Sequence, residues 1–288
     1  MNKVLVITGP TASGKTAVAI EKAKTLNGEI INYDSLQVYK DIPTLTAYPT
    51  VNEINSAPHK LFGYLNYNDN ISVVDWAKSA TTAIQKTWSR SKLPILVGGT
   101  GMYIDILIHG ISPLPDISQE VRNQAIELSN NNYEQLCNDV YNFDLKIKNI
   151  IKPENHHQMI RAWEIQTESN KSIIYFYSLP KQMFINAEFE FININIDREF
   201  LYNKINKRFD IMLENGAINE VEELMKKFND NNYEDLFKKY HIFKAIGAKE
   251  IVRYLNNKIS YNTMVELSKQ YSRNYAKRQI TWFKYHCK

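Results

Sequence analysis

The sequence predicts an α/β protein in which a core of parallel strands carries helices on both faces and a helical domain is inserted into the chain. Short, β-branched apolar runs at residues 4–8, 29–33 and 94–97 alternate with helix-forming stretches, a pattern typical of parallel sheets. Residues 189–196 alternate apolar and polar side chains, which predicts one more strand of the same sheet.

A phosphate-binding loop directly follows the first predicted strand. The segment GPTASGKT matches the pattern G-x-x-x-x-G-K-[ST], and a helix-forming run begins at Ala17, so we expect a P-loop NTPase-like core. In such a loop, backbone N–H groups and a helix N-terminus attract phosphate, the lysine adds charge and the last hydroxyl binds Mg²⁺. The predicted diphosphate-binding residues are Gly9, Pro10, Thr11, Ala12, Ser13, Gly14, Lys15 and Thr16, with Thr16 as the metal ligand. The alternative is a glycine-containing turn without a ligand.

The ends of the next two predicted strands also carry polar residues. Asp34 follows the second strand and Gly98-Gly99-Thr100 follows the third. Ligands of open α/β sheets bind beyond the carboxyl ends of the strands, so Asp34 is a candidate base or metal organiser; a helix N-cap is its alternative role. Ordinary phosphate-loop ATPases and GTPases carry an Asp at the end of a later strand. Gly-Gly-Thr here disfavours an ATP hydrolase and indicates close approach of a substrate or another backbone.

The length of the chain and a break in its pattern predict one large core with a smaller inserted unit. A Pro-rich segment at residues 112–116 interrupts the pattern, and the sequence beyond it is helical in period and rich in Asn and charge. We therefore expect a discontinuous core at residues 1–115 and 194–288 and a helical insertion at 116–193. The adjacent His156 and His157 point in different directions on a helix, which disfavours a metal site there.

The C-terminal part is strongly basic. From Lys244 to Lys288, ten Lys and Arg stand against two Glu, interleaved with aromatic side chains. This composition suits a polyanion backbone and base stacking; a solvated basic helix face is the alternative. Arg208 lies in a predicted helix and is a candidate bidentate ligand for diphosphate, with a surface ion pair as the alternative.

The bulk composition indicates a globular protein of the cytoplasm. The 288 residues are 44% hydrophobic and 23% charged, and no apolar run approaches the length of a membrane span. The first strand begins almost at Met1, so we expect no signal peptide. Two cysteines, Cys137 and Cys287, give neither a disulfide framework nor a metal cluster.

Several motifs together resemble one family, the tRNA dimethylallyltransferases, also called tRNA isopentenyltransferases. Besides the phosphate loop, the matches are DSLQVY at 34–39, GGTGMY at 98–103, PLP at 113–115, RAWE at 161–164, RFDIM at 208–212, AIG at 245–247 and KRQITWF at 277–283. The phosphate loop alone is shared by many unrelated proteins, whereas this combination in this order is specific and spans nearly the whole chain.

The resemblance implies transfer of a dimethylallyl group from dimethylallyl diphosphate to N6 of adenosine 37 of tRNA. Asp34 would act as the general base, while the phosphate loop, Mg²⁺ and Arg208 would stabilise the leaving diphosphate. Thr100, at the same edge of the sheet as Asp34, would assist the transfer. The target base would leave the anticodon-loop stack to reach the site.

The resemblance also implies a set of tRNA contacts and an anticodon-stem role for the insertion. The implied contacts are Asp34, Ser35, Leu36, Gln37, Thr100, Arg122, His157, Gln158, Met159, Ile160, Arg161, Lys244, Lys277 and Arg278. We expect a monomer that binds tRNA and dimethylallyl diphosphate, without a membrane partner.

Five positions depart from the family pattern. Leu45 replaces a glycine, Tyr48 a lysine and Gln158 an arginine; Ala248 replaces a tyrosine and Gly63 an aspartate. None of these positions is assigned to the chemistry.

Three alternatives stay open. An adenylate isopentenyltransferase would use a similar loop and base on free AMP or ATP but would need neither the basic segment nor the insertion. A small-molecule kinase of the shikimate or nucleotide-kinase type should carry several lid arginines, whereas the insertion has only Arg122 and Arg161. A non-enzymatic RNA-binding protein would have no use for a complete phosphate loop.

Overall fold

The computed structural model describes residues 2–228 and 232–286, and these residues form two compact units. The first unit contains residues up to Ile108 and from Phe184 onward; the second runs from His109 to Met183. Cys287 lies outside the described residues, and Cys137 is a buried free thiol.

The first unit is built on a five-stranded parallel sheet with the order β3-β2-β4-β1-β5. Its strands are β1 (Lys3–Thr8), β2 (Gly28–Asn32), β3 (His59–Lys60), β4 (Leu93–Val97) and β5 (Glu188–Asn193). In the register, Leu5 lies opposite Ile95 of β4 and opposite Glu190 of β5. The predicted α/β class is therefore confirmed, and the carboxyl ends of β1, β2 and β4 lie side by side.

The α-helices connect and cover these strands. They are α1 (Lys15–Thr25), α2 (Val51–Ser56), α3 (Val73–Trp88), α4 (Gly101–His109), α5 (Gln119–Asn131), α6 (Tyr133–Phe143), α7 (His156–Ser169), α8 (Ile173–Tyr177), α9 (Arg198–Glu214), α10 (Ala217–Lys226), α11 (Tyr233–Lys239), α12 (Ala248–Leu255) and α13 (Tyr261–His286). Two short 3₁₀ helices span Leu145–Asn149 and His241–Lys244.

The alternation of side chains along β1 places helices on both faces of the sheet. Val4 and Val6 pack in one core cluster with Trp76 of α3 and Ile104 of α4. The intervening Leu5 and Ile7 pack in another cluster, which includes Ala19 and Ala23 of α1. Successive side chains of a strand point to opposite faces, so a short, wholly apolar strand fits this doubly covered sheet.

A third core cluster supports the segment that follows β2. Val38, Tyr39, Ile42 and Leu45 are buried against helices α9 to α12, for example against Phe243 in the second 3₁₀ helix. This packing fixes the backbone that runs from Asp34 into the residues beyond it.

The second unit is helical and runs from His109 to Met183, whereas the predicted insertion spans 116–193. Helices α5 to α8 enclose their own cluster, which includes Val140, Met159, Ala162 and Ile165. Residues 188–193 instead form β5, which pairs along its whole length with β1. These residues therefore belong to the sheet, and the predicted boundary at 193 is placed too late.

Candidate active site

The phosphate loop has the strand, loop and helix arrangement that the motif requires. β1 ends at Thr8 and α1 begins at Lys15, directly after Gly14. Gly14 has a φ of 92°, a left-handed conformation that suits glycine far better than other residues. The turn aims the start of α1 at the open end of the sheet.

Lys15 is folded onto its own loop. Its Nζ donates hydrogen bonds to the carbonyl oxygens of Gly9 (2.9 Å) and Pro10 (2.8 Å). Desolvation lowers the pKa of Lys15 to about 7; Asp34 opposes this shift and Arg208 adds to it. Desolvation also lowers the pKa of Arg208, against the opposing effect of Asp34. Two desolvated cations thus share one neighbouring carboxylate, which makes the region receptive to an anion.

Arg208 reaches the phosphate loop from α9. One guanidinium nitrogen lies 3.4 Å from Thr11 Oγ1, although the two residues are 197 positions apart. The alternative for Arg208 was a surface ion pair. In the described part of the chain Arg208 forms no such pair, and its side chain lies in the cavity wall.

A cavity of about 790 Å³ opens in front of the loop. Its wall includes residues 11–16, Asp34, Gln37 and Arg208, together with residues 43, 44 and 46–51. Ser13 Oγ is buried beside it with no hydrogen-bond partner in the described part of the chain. An unpaired buried hydroxyl in an amide-rich loop fits an oxyanion ligand.

A smaller cavity of about 90 Å³ shares Thr11, Asp34 and Arg208 with the large one. The rest of its wall is largely apolar: Leu36, Leu45, Ile205, Phe209, Met212, Ala245 and Ile246. A carboxylate and a guanidinium therefore stand at the mouth of a small hydrophobic space.

Asp34 and Thr100 occupy neighbouring strand ends and are held by short-range contacts. Asp34 Oδ1 accepts hydrogen bonds from the amides of Leu36 (2.9 Å) and Gln37 (3.4 Å). Thr100 Oγ1 accepts one from the amide of Ser35 (3.0 Å). One oxygen of Asp34 thus caps a turn. In the described residues no helix begins there, so the alternative role as a helix N-cap is not observed, and no donor lies on Oδ2.

Helix α13 explains two glycines of the Gly98–Gly101 turn, Gly99 and Gly101, and the sequence did not reveal this. A Cβ added at Gly99 would lie 2.2 Å from Gln279 Nε2, and one at Gly101 would lie 2.4 Å from the Trp282 ring. At Gly99 and Gly101 the close neighbours are therefore side chains of α13. At Gly98 the expected close approach of another backbone is observed, because a Cβ there would lie 2.6 Å from the backbone carbonyl carbon of Tyr33. Tyr275 and Gln279 also line the large cavity. The KRQITWF segment was the available signal, but nothing local in it indicates its partners.

The remaining predicted tRNA contacts of the first unit lie on its C-terminal helices. Lys277 and Arg278 are exposed on α13. Lys244 Nζ lies 2.8 Å from His241 Nε2, and desolvation together with Lys249 lowers the pKa of Lys244. These cations are available to an anionic partner.

The other predicted contacts belong to the second unit. Arg122 is exposed on α5, and His157 and Gln158 are exposed in the first turn of α7. Arg161 is partly buried and pairs with Glu164 at 3.0 Å. Met159 has no accessible surface and Ile160 packs against the same cluster, because both face the interior of the unit. The Met159 side chain is therefore unavailable to tRNA in this structure.

The donor set fits a magnesium ion that is shared with a phosphate ligand. Thr16 and Asp34 both line the large cavity. Within residues 2–228 and 232–286, no three His, Cys, Asp or Glu side chains gather to hold a metal ion by themselves. Mg²⁺ commonly takes one or two protein ligands and completes its shell with water and substrate phosphates, so such a cluster is not required.

In the described part of the chain, no helix has both the length and the apolar character needed to cross a membrane.

Comparisons with known proteins agree on one family. The family model described as IPP transferase matches residues 37–286. A tRNA dimethylallyltransferase of Rickettsia bellii is 38% identical over 288 residues, covering 99% of this chain and 89% of the relative. One of Ehrlichia ruminantium is 38% identical over 287 residues, covering 99% of this chain and 92% of the relative.

The comparison with solved structures identifies the same kind of protein. The tRNA isopentenylpyrophosphate transferase of Staphylococcus epidermidis is 36% identical, with a TM-score of 0.68, 100% of this chain covered and 92% of that chain. A eukaryotic dimethylallyltransferase acting on tRNA is 27% identical, with a TM-score of 0.85, 98% of this chain covered and 70% of that chain. On the family match and the near full-length relatives together, this chain belongs to the IPP transferase family.

Proposed function

We propose that this protein transfers the dimethylallyl group of dimethylallyl diphosphate to N6 of adenosine 37 in tRNA. The observation that carries the proposal is the meeting of three features in the first unit: an anion-binding loop, the Asp34 carboxylate and a small apolar cavity. The family relationship and the names of the relatives support the same reaction.

The phosphate loop and two cations would hold the donor's diphosphate. The loop amides, Lys15 and Arg208 surround the same space, and both cations are desolvated. As the bond between the allylic carbon and oxygen breaks, negative charge grows on the leaving diphosphate. Fixed donors and cations in a desolvated site stabilise such charge far better than water does.

The apolar cavity would hold the five-carbon chain. Leu36, Leu45, Phe209 and Met212 line it, while Arg208 stands at its mouth. A diphosphate at Arg208 would thus direct its hydrocarbon tail into this space. Burial of the tail is favoured at about 0.8 kcal/mol for each CH₂ group.

Asp34 would orient the acceptor amine and accept its proton. Oδ1 is held by two backbone amides, which leaves Oδ2 as the oxygen that could bind N6–H. An exocyclic aryl amine is a weak nucleophile, so removal of its proton as the new N–C bond forms lowers the barrier. Thr100, one strand away, would position the base, which must leave the anticodon-loop stack to reach this depth.

Thr16 would bind Mg²⁺, and Asp34, which lines the same cavity, would help to organise it. When bound, the ion supplies additional positive charge to the diphosphate oxygens.

Exposed residues of both units would bind the tRNA. In the first unit these are Lys244, Lys277 and Arg278, in addition to the half-buried Asp34–Gln37 segment; in the second they are Arg122, His157 and Gln158, in addition to the half-buried Arg161. The second unit would hold the anticodon stem. Since one chain supplies every group invoked in the chemistry, we also propose that a monomer in the cytoplasm is the working form.

A single set of incubations tests the reaction. Purified protein, Mg²⁺ and dimethylallyl diphosphate are offered unmodified tRNA, AMP, or ATP with small acceptors, and the products are weighed by mass spectrometry. The expected result is the mass gain of one dimethylallyl group on tRNA alone. Modification of AMP would identify an adenylate isopentenyltransferase, and phosphorylation of an acceptor by ATP would identify a kinase.

A further inference from the structure

Gln279 of α13 makes two hydrogen bonds that join separate loops of the candidate site. Its Oε1 accepts from the backbone N–H of Thr11 at 2.7 Å, and its Nε2 donates to the carbonyl oxygen of Gly99 at 2.9 Å. The side chain is 5% exposed. Thr11 belongs to the phosphate loop and Gly99 to the turn that carries Thr100, so one amide links the donor side of the site to its acceptor side.

Two neighbouring residues, Gly99 and Tyr275, accommodate the Gln279 side chain and its hydrogen bonds. Gly99 leaves room for the amide, since a Cβ there would lie only 2.2 Å from Gln279 Nε2. Tyr275, one turn earlier on α13, places its hydroxyl 3.4 Å from the same carbonyl oxygen. Desolvation, with the nearby Asp34, raises the pKa of Tyr275, so the phenol stays a neutral donor.

The bond at Thr11 also affects the phosphate loop directly. While Gln279 accepts from the Thr11 amide, that N–H is not directed at a phosphate. The Ser13 amide also bonds within the loop, to the carbonyl oxygen of Pro10 at 3.2 Å. The Thr11 hydroxyl in turn lies 3.4 Å from Arg208. Holding Thr11 in place therefore helps to hold the guanidinium that faces the diphosphate.

We propose that Gln279 is a positioning residue, which sets the distance between the phosphate loop and the Gly99–Thr100 turn and thereby aligns the donor with the acceptor amine. This inference rests on the proposed function for its meaning, although its effect on the phosphate loop can be measured separately. Misplacement of reacting groups by about 1 Å can cost a hundredfold in rate, which is the scale on which such a link matters.

The test compares three variants. Gln279→Met keeps the length and buried shape of the side chain but removes both hydrogen bonds. Gln279→Glu keeps an acceptor for Thr11 but places a carboxylate against the Gly99 carbonyl. Gln270→Met changes the same residue type at an exposed position of the same helix and serves as the matched control.

Two measurements are made on each full-length variant. The first is the affinity for inorganic pyrophosphate by calorimetry, which needs no catalysis. The second is steady-state prenylation, with kcat and the KM values for donor and tRNA determined separately. Thermal unfolding shows that each variant is folded.

For Gln279→Met we expect pyrophosphate binding to weaken about tenfold and kcat to fall at least tenfold, with the KM for tRNA within twofold of the wild type. Gln279→Glu should also lose turnover, and Gln270→Met should match the wild type. A folded Gln279→Met with unchanged pyrophosphate affinity and unchanged kcat would overturn the proposal; if that variant does not fold, wild-type constants in Gln279→Glu would overturn it. Failure of the wild type to prenylate tRNA would refute the proposed function instead, while the pyrophosphate result would still decide whether Gln279 positions the loop.

Discussion

The carboxylate of Glu220 on α10 accepts a 2.9 Å hydrogen bond from the backbone amide of Leu45, in the wall of the candidate active site. Its second oxygen accepts from the amide of Thr44 at 2.7 Å. Leu45 stands where the family pattern has glycine, and its buried side chain packs in the cluster that contains Phe209. Glu220 therefore fixes a segment that contributes to both cavities.

Glu220→Ala should destabilise the protein by about 2 kcal/mol, because it leaves two amide donors without a charged acceptor. It should also raise the KM for the donor, since residues 43, 44 and 46–48 line the large cavity and Leu45 lines the small one. Chemical denaturation and donor kinetics measure the two effects. Glu222→Ala is the control, because Glu222 forms only a surface pair with Lys226 at 3.7 Å. Equal effects at both positions would contradict this role for Glu220.

Asp34→Asn should separate binding from chemistry. An Asn side chain can still accept from the amides of Leu36 and Gln37, so the turn should persist. Without a base for the N6 proton, turnover should fall by about two orders of magnitude or more, while tRNA affinity stays within about tenfold. Single-turnover prenylation and filter binding give the two numbers. Full activity in this variant would rule out the general-base role.

Diphosphate affinity should fall as pH rises above 7. Burial lowers the pKa of Lys15 to about 7 in the free protein, and a bound anion would raise it. Below pH 7 the ammonium is already formed, whereas above pH 7 binding must take up a proton, which weakens affinity by up to about tenfold per pH unit.

Calorimetry with pyrophosphate from pH 6 to 9, in buffers of different ionisation enthalpy, measures this proton uptake after correction for the ligand's own titration. Lys24→Ala, at an exposed position of α1, should leave the pH dependence unchanged. An affinity that does not vary with pH beyond the ligand's own titration would exclude the coupling to Lys15.

Arg161→Ala should weaken tRNA binding and reduce its dependence on salt. A lysine or arginine that contacts a phosphate releases about one counterion, so its loss should lower the salt slope by about 1. Filter binding from low to physiological salt measures this slope. Lys146→Ala is a control within the same unit, where Lys146 is exposed. Unchanged affinity at every salt concentration would argue against a contact at Arg161.

Gly63→Ala should destabilise the protein by about 2 to 3 kcal/mol. Gly63 has a φ of 53°, and a Cβ there would lie 2.9 Å from the Tyr48 ring. Gly216→Ala has the matching backbone cost at a φ of 87° but meets nothing within 4 Å, so it should cost only about 1 kcal/mol. Denaturant unfolding of both variants isolates the contact between Gly63 and Tyr48. Similar losses at the two sites would mean that this contact contributes little.

This contact also relates two of the departures from the family pattern. Tyr48 replaces a lysine and Gly63 an aspartate, and the structure places one against the other. The Tyr48 ring also meets Phe62 edge-on, with 5.8 Å between the ring centroids. Two changes at separate positions of the family pattern thus lie against each other, and one of them, Tyr48, is in the cavity wall.

The features that the sequence could predict are those encoded by short, contiguous patterns. The phosphate loop depends on a strand, a loop and a helix within about twenty residues, and the strand ends place Asp34 and Thr100 at one edge. The two-residue strand β3 escaped prediction, because it is defined only by its pairing with β2. Helix α2 begins with a capping box formed by Thr50 and Glu53, a contiguous pattern of the same kind.

Local sequence patterns could not predict contacts between segments that are far apart in the chain. Gln279 lies 180 positions from Gly99, and neither residue's neighbours indicate the other. The motifs also did not show which of their residues are buried. The resemblance implies that all of residues 157–161 contact tRNA, whereas the helix directs the Met159 side chain into the core of the second unit. Motifs identify which segments matter, and packing decides which side chains in them can meet a ligand.

The link between Gln279 and the phosphate loop has a consequence for how the enzyme is made. The ribosome completes the loop and the Gly99 turn long before it synthesises α13, so a growing chain can display the anion-binding motif while its two halves are still unjoined. Under the role proposed for Gln279, catalytic competence follows only after α13 has been synthesised and has docked, and termination before Gln279 would yield a molecule with a recognisable motif and a misaligned site.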